Sequence, residues 1–298
     1  MTQGNYLIKD LERLTGIKAH TIRIWEKRYK VVQPSRTTTN IRHYCDEDLK
    51  RLLNISTLLK QGFRISQLAD LSDEQLGEKI INVSMSSSNG TDTHIDSLVK
   101  AMVELDEARF EKTISSATLN LGFEDTVIKV IYPFLERIGV LWLSGSINPA
   151  QEHFVVNILR QKLLVAIDNL PVKPTATAKR FILFLPENEF HELGLLFYSY
   201  LVRKSGHRII YLGQSVPFND LLEVARVKEP DALVTSFVAA MGLDEVKEYV
   251  HRLVEAFPAK KIYIAGYQIA QLDESSPPQV TKLTNILQFK AILKGFQQ

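Results

Sequence analysis

The sequence is short of cysteine, of long apolar runs and of any strong excess of one charge. Its one cysteine, Cys45, excludes an intrachain disulfide framework and a thiolate metal cluster within one chain. No apolar run approaches the roughly 18 residues that a bilayer-spanning helix needs. The opening MTQGNYLIKDLERL has no apolar core followed by a small-residue cleavage site, so no secretory signal is read and a cytoplasmic protein is expected. Also missing are a P-loop, a dinucleotide glycine fingerprint, a nucleophile–histidine–acid order and a cluster of metal ligands, and no enzyme is expected. With 298 residues, 45% hydrophobic and 23% charged, and a mean hydropathy of −0.05, the chain has the composition of a globular protein of two or three domains.

The net charge of +2 conceals an asymmetry. Residues 1–64 hold thirteen Lys and Arg against six Asp and Glu, a balance of +7, which leaves −5 for the rest. A basic head on a neutral-to-acidic body points to nucleic acid, and a solvated basic face gives the same count.

Leu7, Ile8, Leu11 and Leu14 recur at helical spacing up to Thr15-Gly16, and a second helix is expected from about Lys18 to Tyr29, with Ile22, Ile24 and Trp25 facing inward. Two helices joined at a glycine read as helix-turn-helix. A two-stranded hairpin is expected across Val31–Tyr44, followed by a helix over 47–61 capped by Asp46 and closed by Gly62. Asn82–Thr93, NVSMSSSNGTDT, is small, polar and aperiodic, as a linker is. Helical patterns over 95–105, 107–119, 123–142 and 148–169 suggest a four-helix bundle. Beyond Pro171–Pro174, strands at 181–185, 208–212, 232–235 and 261–265 alternate with helices at 193–205, 218–228 and 245–257, the pattern of an open parallel α/β sheet. The expected division is 1–75, a linker 76–94, a helical domain 95–172 and an α/β domain 173–298.

In the head, Arg23-Ile24-Trp25-Glu26-Lys27-Arg28-Tyr29 with Pro34-Ser35-Arg36-Thr37, Arg42-His43-Tyr44 and Asp48-Leu49 resembles the MerR family of winged helix-turn-helix regulators. The resemblance covers most of residues 5–72. Lys18, His20, Thr21 and Arg23 on the second helix, and Arg36, Arg42 and Tyr44 on the hairpin, are the expected DNA contacts, most of them to phosphate. Trp25 is expected in the core.

In the α/β segment, Glu189-Phe190-His191-Glu192-Leu193-Gly194 forms E-x-H-x-x-G. It resembles the D-x-H-x-x-G signature of cobalamin-binding domains, in which the histidine ligates cobalt from below. The family's S-x-L and G-G elements fall at matching distances: 41 residues separate Gly194 from Ser236-Phe237-Val238, and 27 separate that triplet from Gly266-Tyr267. His191, Gly213, Ser236 and Gly266 all follow expected strands, where open parallel sheets bind ligands. Glu189 is placed to hold the second imidazole nitrogen and fix the tautomer. Tyr267 in place of the second glycine departs from the pattern, with a ring that either blocks the nucleotide tail or stacks on it.

Trp142, followed after nine residues by Glu152-His153, resembles the cap of cobalamin-dependent MerR photoreceptors, whose Trp, Glu and His line the upper face of the corrin. The resemblance thus implies a flavodoxin-like cobalamin-binding domain under a four-helix cap behind a winged head. It implies a DNA-binding regulator whose oligomeric state, dimer or tetramer, follows cobalamin occupancy, with His191 as the cobalt ligand and double-stranded DNA as partner. Leu143 stands where those photoreceptors carry a second histidine, so the light response is expected to be weak or absent. Two other readings remain: a regulator whose sensor fold is an empty scaffold for oligomerisation or a protein partner, and a corrinoid carrier protein.

Overall fold

The structure, a computed structural model, describes residues 6–36, 40–84, 90–143, 147–171, 174–238, 241–272 and 277–296. It divides into two compact units, Met1–Val155 and Val156–Gln298. Among the described residues, no helix is long and apolar enough to cross a membrane.

The first unit starts with α1 (Ile8–Thr15), which stops at Gly16 in the left-handed region at φ 73°, a conformation that favours glycine, and α2 (Ala19–Tyr29). Ile22 and Trp25 are buried as expected, whereas Ile24 is half exposed, because it sits between them on the opposite side of the helix. Strands β1 (Ser35–Arg36) and β2 (Arg42–His43) pair antiparallel, and Tyr6 and Tyr44 exchange two 2.9 Å backbone bonds beside them. Helix α3 (Asp46–Lys60) has Cys45 as its N-terminal cap residue, and the Asp48 carboxylate accepts the Cys45 amide at 3.1 Å. Asp48 therefore supplies the capping carboxylate there. The Ser56 hydroxyl donates to the Thr15 carbonyl at 2.8 Å and ties α3 to α1.

The segment read as a linker is largely helical: α4 covers Asp73–Ser84 and α5 covers Gly90–Glu104, and of the linker residues only 85–89 lie outside the described ones. Helix α6 (Glu107–Leu121) begins under an Asp106 cap, whose carboxylate accepts the Arg109 amide at 2.9 Å. The helix expected over 123–142 runs as α7 (Phe123–Thr126), a π-helical turn at Val127–Ile131, and α8 (Tyr132–Leu143). Phe110 and Phe134 meet at 5.6 Å between ring centroids in the core of these helices. Helix α9 (Pro149–Asp168) spans the division between the units.

The second unit is a parallel five-stranded sheet of β3 (Arg180–Pro186), β4 (Arg208–Val216), β5 (Ala232–Ser236), β6 (Lys261–Ala265) and β7 (Val280–Lys282), in the order β4-β3-β5-β6-β7. Helices α10 (Leu193–Lys204), α11 (Phe218–Lys228), α12 (Leu243–Ala256) and α13 (Ile286–Gly295) accompany it. The order reverses between β3 and β5, so the loops after these two strands flank the crevice that the topology opens for a ligand. Ile182, Leu233, Ile262 and Ile264 pack with Leu221, Val246 and Leu253 into one apolar core. Each such fully buried side chain contributes about 1.5–3 kcal/mol by leaving water.

Candidate functional site

Glu189 and His191 stand in the loop between β3 and α10. The Glu189 side chain is only 2% exposed, and a carboxylate buried so deeply requires donors on both oxygens. It has them. Oε1 accepts the amides of Phe190 at 3.1 Å and His191 at 3.2 Å and lies 2.5 Å from His191 Nδ1, while Oε2 accepts the Val238 amide at 2.9 Å. The last bond crosses from the loop after β3 to the loop after β5, so one side chain joins the E-x-H-x-x-G segment to the S-x-V segment. An Nδ1–H donated to Glu189 leaves the lone pair of a neutral imidazole on Nε2, and the His191 side chain is 52% exposed. This is the donor set of a single imidazole ligand with a fixed tautomer. Among the described residues, no group of three or more His, Cys, Asp and Glu side chains is arranged to hold a bare metal ion.

The glycines differ in what they do. Gly194 lies in the first turn of α10 with open space around the position of a β-carbon. Gly213 was expected after a strand, but it lies inside β4, which continues through a register shift opposite Phe184 to Val216. Gly266 has φ 102°, and a β-carbon there would meet the Phe237 carbonyl oxygen at 2.2 Å. The chain itself therefore demands Gly266, whatever a ligand needs. Ser236 closes β5 and is buried, while Tyr267 is 77% exposed, its ring in solvent.

Glu192, beside His191, was not singled out from the sequence. It is buried, its Oε1 meets Arg160 Nε at 2.5 Å and its Oε2 accepts the Tyr211 hydroxyl at 3.0 Å. The pair raises the Arg160 pKa, and burial first, then Glu192, pushes the Tyr211 phenol well above its usual range. A buried acid next to His191 thus anchors its loop to β4 and α9. A cleft of about 250 Å³ in this unit lies elsewhere, lined by Glu187, Phe218, Met241, Tyr249 and Arg252 on the α11 and α12 side. It does not include His191.

Of the expected cap residues, the helix bearing Trp142 and Leu143 is described, but their side chains lie outside the described part. Glu152 is half-buried and His153 exposed in the first turns of α9.

In the head, Lys18 caps α2 and pairs with Glu12 at 3.2 Å. His20, Thr21 and Arg23 follow on the first turns; His20 and Arg23 are exposed, and His20 Nε2 lies 3.3 Å from the Thr21 hydroxyl. Arg36 is exposed and donates to Asn40 at 2.9 Å. Two residues depart from expectation. Tyr44 is 1% exposed, a core ring rather than a surface contact, and its hydroxyl donates to Glu26 at 3.3 Å. Burial foremost, then the Glu26 charge, pushes its phenol up to about 12. Arg42 turns its Nε onto the same Glu26, at 3.1 and 3.2 Å from the two carboxylate oxygens.

Residues 6–75 match the family model described as MerR HTH family regulatory protein, and residues 94–166 match that of the B12 binding domain. The chain thus joins a MerR-type helix-turn-helix segment to a B12-binding segment. It is 29% identical over 263 residues to the HTH-type transcriptional repressor CarH of Myxococcus xanthus, covering 87% of each chain. It is 27% identical over 284 residues to the HTH-type transcriptional repressor CarA of the same organism, covering 90% of this chain and 93% of that one. Coverage this wide takes in the sheet unit as well as the two matched segments. The solved monomethylamine corrinoid protein of Methanosarcina barkeri aligns with 69% of this chain and all of its own at 17% identity, with a TM-score of 0.49.

Proposed function

We propose that this MerR-type regulator reads cobalamin through His191 and passes the state of that site to the oligomerisation and DNA binding of the full chain. The proposed parts are a winged DNA-binding head over 1–75, a connecting segment 76–94, a four-helix cap over 95–172 and a flavodoxin-like α/β domain over 173–298. Lys18, His20, Thr21, Arg23 and Arg36 are its proposed DNA contacts. Its proposed cofactor-binding residues are Trp142, Glu152 and His153 of the helical segment and Glu189, His191, Gly194 and Ser236 of the sheet unit.

One observation carries the reading: Glu189, buried and fully hydrogen-bonded, orients His191 across the point where strand order reverses. A bound corrinoid would supply a cobalt centre able to take an imidazole nitrogen as ligand. His191 offers Nε2, Glu189 fixes the ring, and the open space beside Gly194 leaves room for the approach. Sensing follows if the ligated and unligated forms differ in oligomeric state, since paired heads multiply weak phosphate contacts into usable affinity.

The test is the visible spectrum of the purified full chain after addition of hydroxocobalamin, with calorimetry for affinity. The wild type is expected to bind with an imidazole-ligated spectrum. His191→Ala is expected to lose that spectrum, and Glu189→Gln to weaken binding about 10- to 100-fold, the usual cost of losing a partner that orients a metal-ligating histidine. A wild type that binds no corrinoid at all would reduce the sheet unit to a scaffold for self-association.

A further inference from the structure

Resting on the DNA-binding reading, we infer that Glu26 is a positioning residue that locks the β1–β2 hairpin onto α2 through Arg42 and Tyr44, so that Arg42 sets the hairpin's pose while Arg36 contacts phosphate. Arg36 and Arg42 are direct register partners across the two strands. Like charges directly opposite each other on an antiparallel pair repel, and the hairpin tolerates them only if one is neutralised. Glu26 does this. Its carboxylate projects from α2, is 17% exposed, and accepts Arg42 Nε on both oxygens and the Tyr44 hydroxyl on one.

The three side chains come from the helix and from the hairpin's return strand and its end. Tyr44 is also fixed by the backbone bridge to Tyr6, so the cluster stands on two anchored points of the head. Arg36 differs in each respect. It lies on β1, exposed, and its partner among the described residues, Asn40, is neutral. A guanidinium already compensated by a half-buried carboxylate displaces little counterion from DNA, whereas an exposed uncompensated one contributes about 0.9 to the slope of log affinity against log salt.

The experiment measures binding of the full chain to a random-sequence duplex between about 50 and 200 mM salt, conditions in which phosphate contacts dominate. For Arg36→Gln the affinity lost across that range is expected to be about 3.5-fold smaller than for the wild type, the equivalent of one phosphate contact. Arg42→Gln is expected to lower affinity at every salt concentration by the same factor, leaving the slope unchanged. Glu26→Ala joined to Arg42→Gln is expected to be no weaker than Glu26→Ala alone, because Glu26→Ala already removes the bond to Arg42, while Glu26→Gln, which keeps an acceptor oxygen but not the charge, is expected to recover only part of the affinity that Glu26→Ala loses. A slope that falls for Arg42→Gln as it does for Arg36→Gln would overturn the inference. So would additive losses in the double variant. If Glu26→Ala unfolds the head, the comparison of Arg36→Gln with Arg42→Gln decides alone. A wild type that binds no duplex removes the DNA-binding reading and this inference with it.

Discussion

At the scale of single residues, two glycines of the same motif make opposite predictions. Gly266 is held at φ 102° with its missing β-carbon 2.2 Å from the Phe237 carbonyl oxygen and 2.7 Å from its carbon, both backbone atoms that cannot swing aside. Gly266→Ala is therefore expected to destabilise the sheet unit by about 3 kcal/mol, the range of backbone strain joined to a steric clash. Chemical denaturation monitored by circular dichroism measures it. Gly194 lies in helical conformation with nothing near the absent β-carbon, so Gly194→Ala is expected to gain about 0.5–1 kcal/mol from helix propensity. If the space beside it receives the corrinoid, the same variant binds hydroxocobalamin more weakly while melting higher. A stabilised variant with undiminished binding would place the ligand elsewhere.

Elements show where the sequence was legible and where it was not. The spacings from Gly194 to Ser236 and on to Gly266 were readable because they count strands and helices of the sheet, and the structure puts Ser236 at the end of β5 and Gly266 just after β6. Gly213 was misplaced because β4 bulges and continues to Val216, and a register shift leaves no mark in hydrophobic alternation. Glu192 was missed because its partners are tertiary: Arg160 comes from α9 and Tyr211 from β4. Tyr44 and Arg42 looked like surface groups of a basic hairpin until Glu26 was placed opposite them, and a single acid inside a run of arginines carries no sign of its pairing. Strand β7 is three residues long, too short to announce itself, and α13 after it was also not foreseen.

Helix α13 also carries a pH dependence. His207 is 5% exposed, its Nδ1 accepts the Lys179 amide at 3.3 Å, and its Nε2 faces the Leu293 carbonyl of α13 at 3.4 Å. That arrangement suits a neutral ring with the proton on Nε2, because a second proton on Nδ1 would confront an N–H. Burial, the foremost cause, lowers the His207 pKa below 6.5. The unfolded chain therefore binds the extra proton first, so this residue's contribution is intact above about pH 6.5 and is lost as pH falls through the folded-state value. Hydrogen exchange in α13 is expected to accelerate as pH falls below about 6.5 after correction for the intrinsic rate, and His207→Gln is expected to remove that dependence. An equal acid response in the variant would assign it to other groups.

For the molecule as a whole, the question is whether ligand state changes assembly, and position 143 bears on how light enters. Leu143 offers only hydrocarbon where the resembling photoreceptors have an imidazole, and the next imidazole along the chain is that of His153, exposed in the first turns of α9. A carbon side chain cannot become a nitrogen ligand to a metal. Loading with adenosylcobalamin in the dark is accordingly expected to shift the elution volume of the full chain to that of a larger assembly, and illumination to leave that volume unchanged. His191→Ala is expected to elute at one volume with or without the cofactor, which separates a ligand effect from mere addition of a corrinoid. Leu143→His is expected to make the loaded assembly light-sensitive, the gain that a missing ligand predicts. Dissociation of the wild type on illumination would show that His153 supplies the nitrogen instead, and His153→Ala would then abolish it.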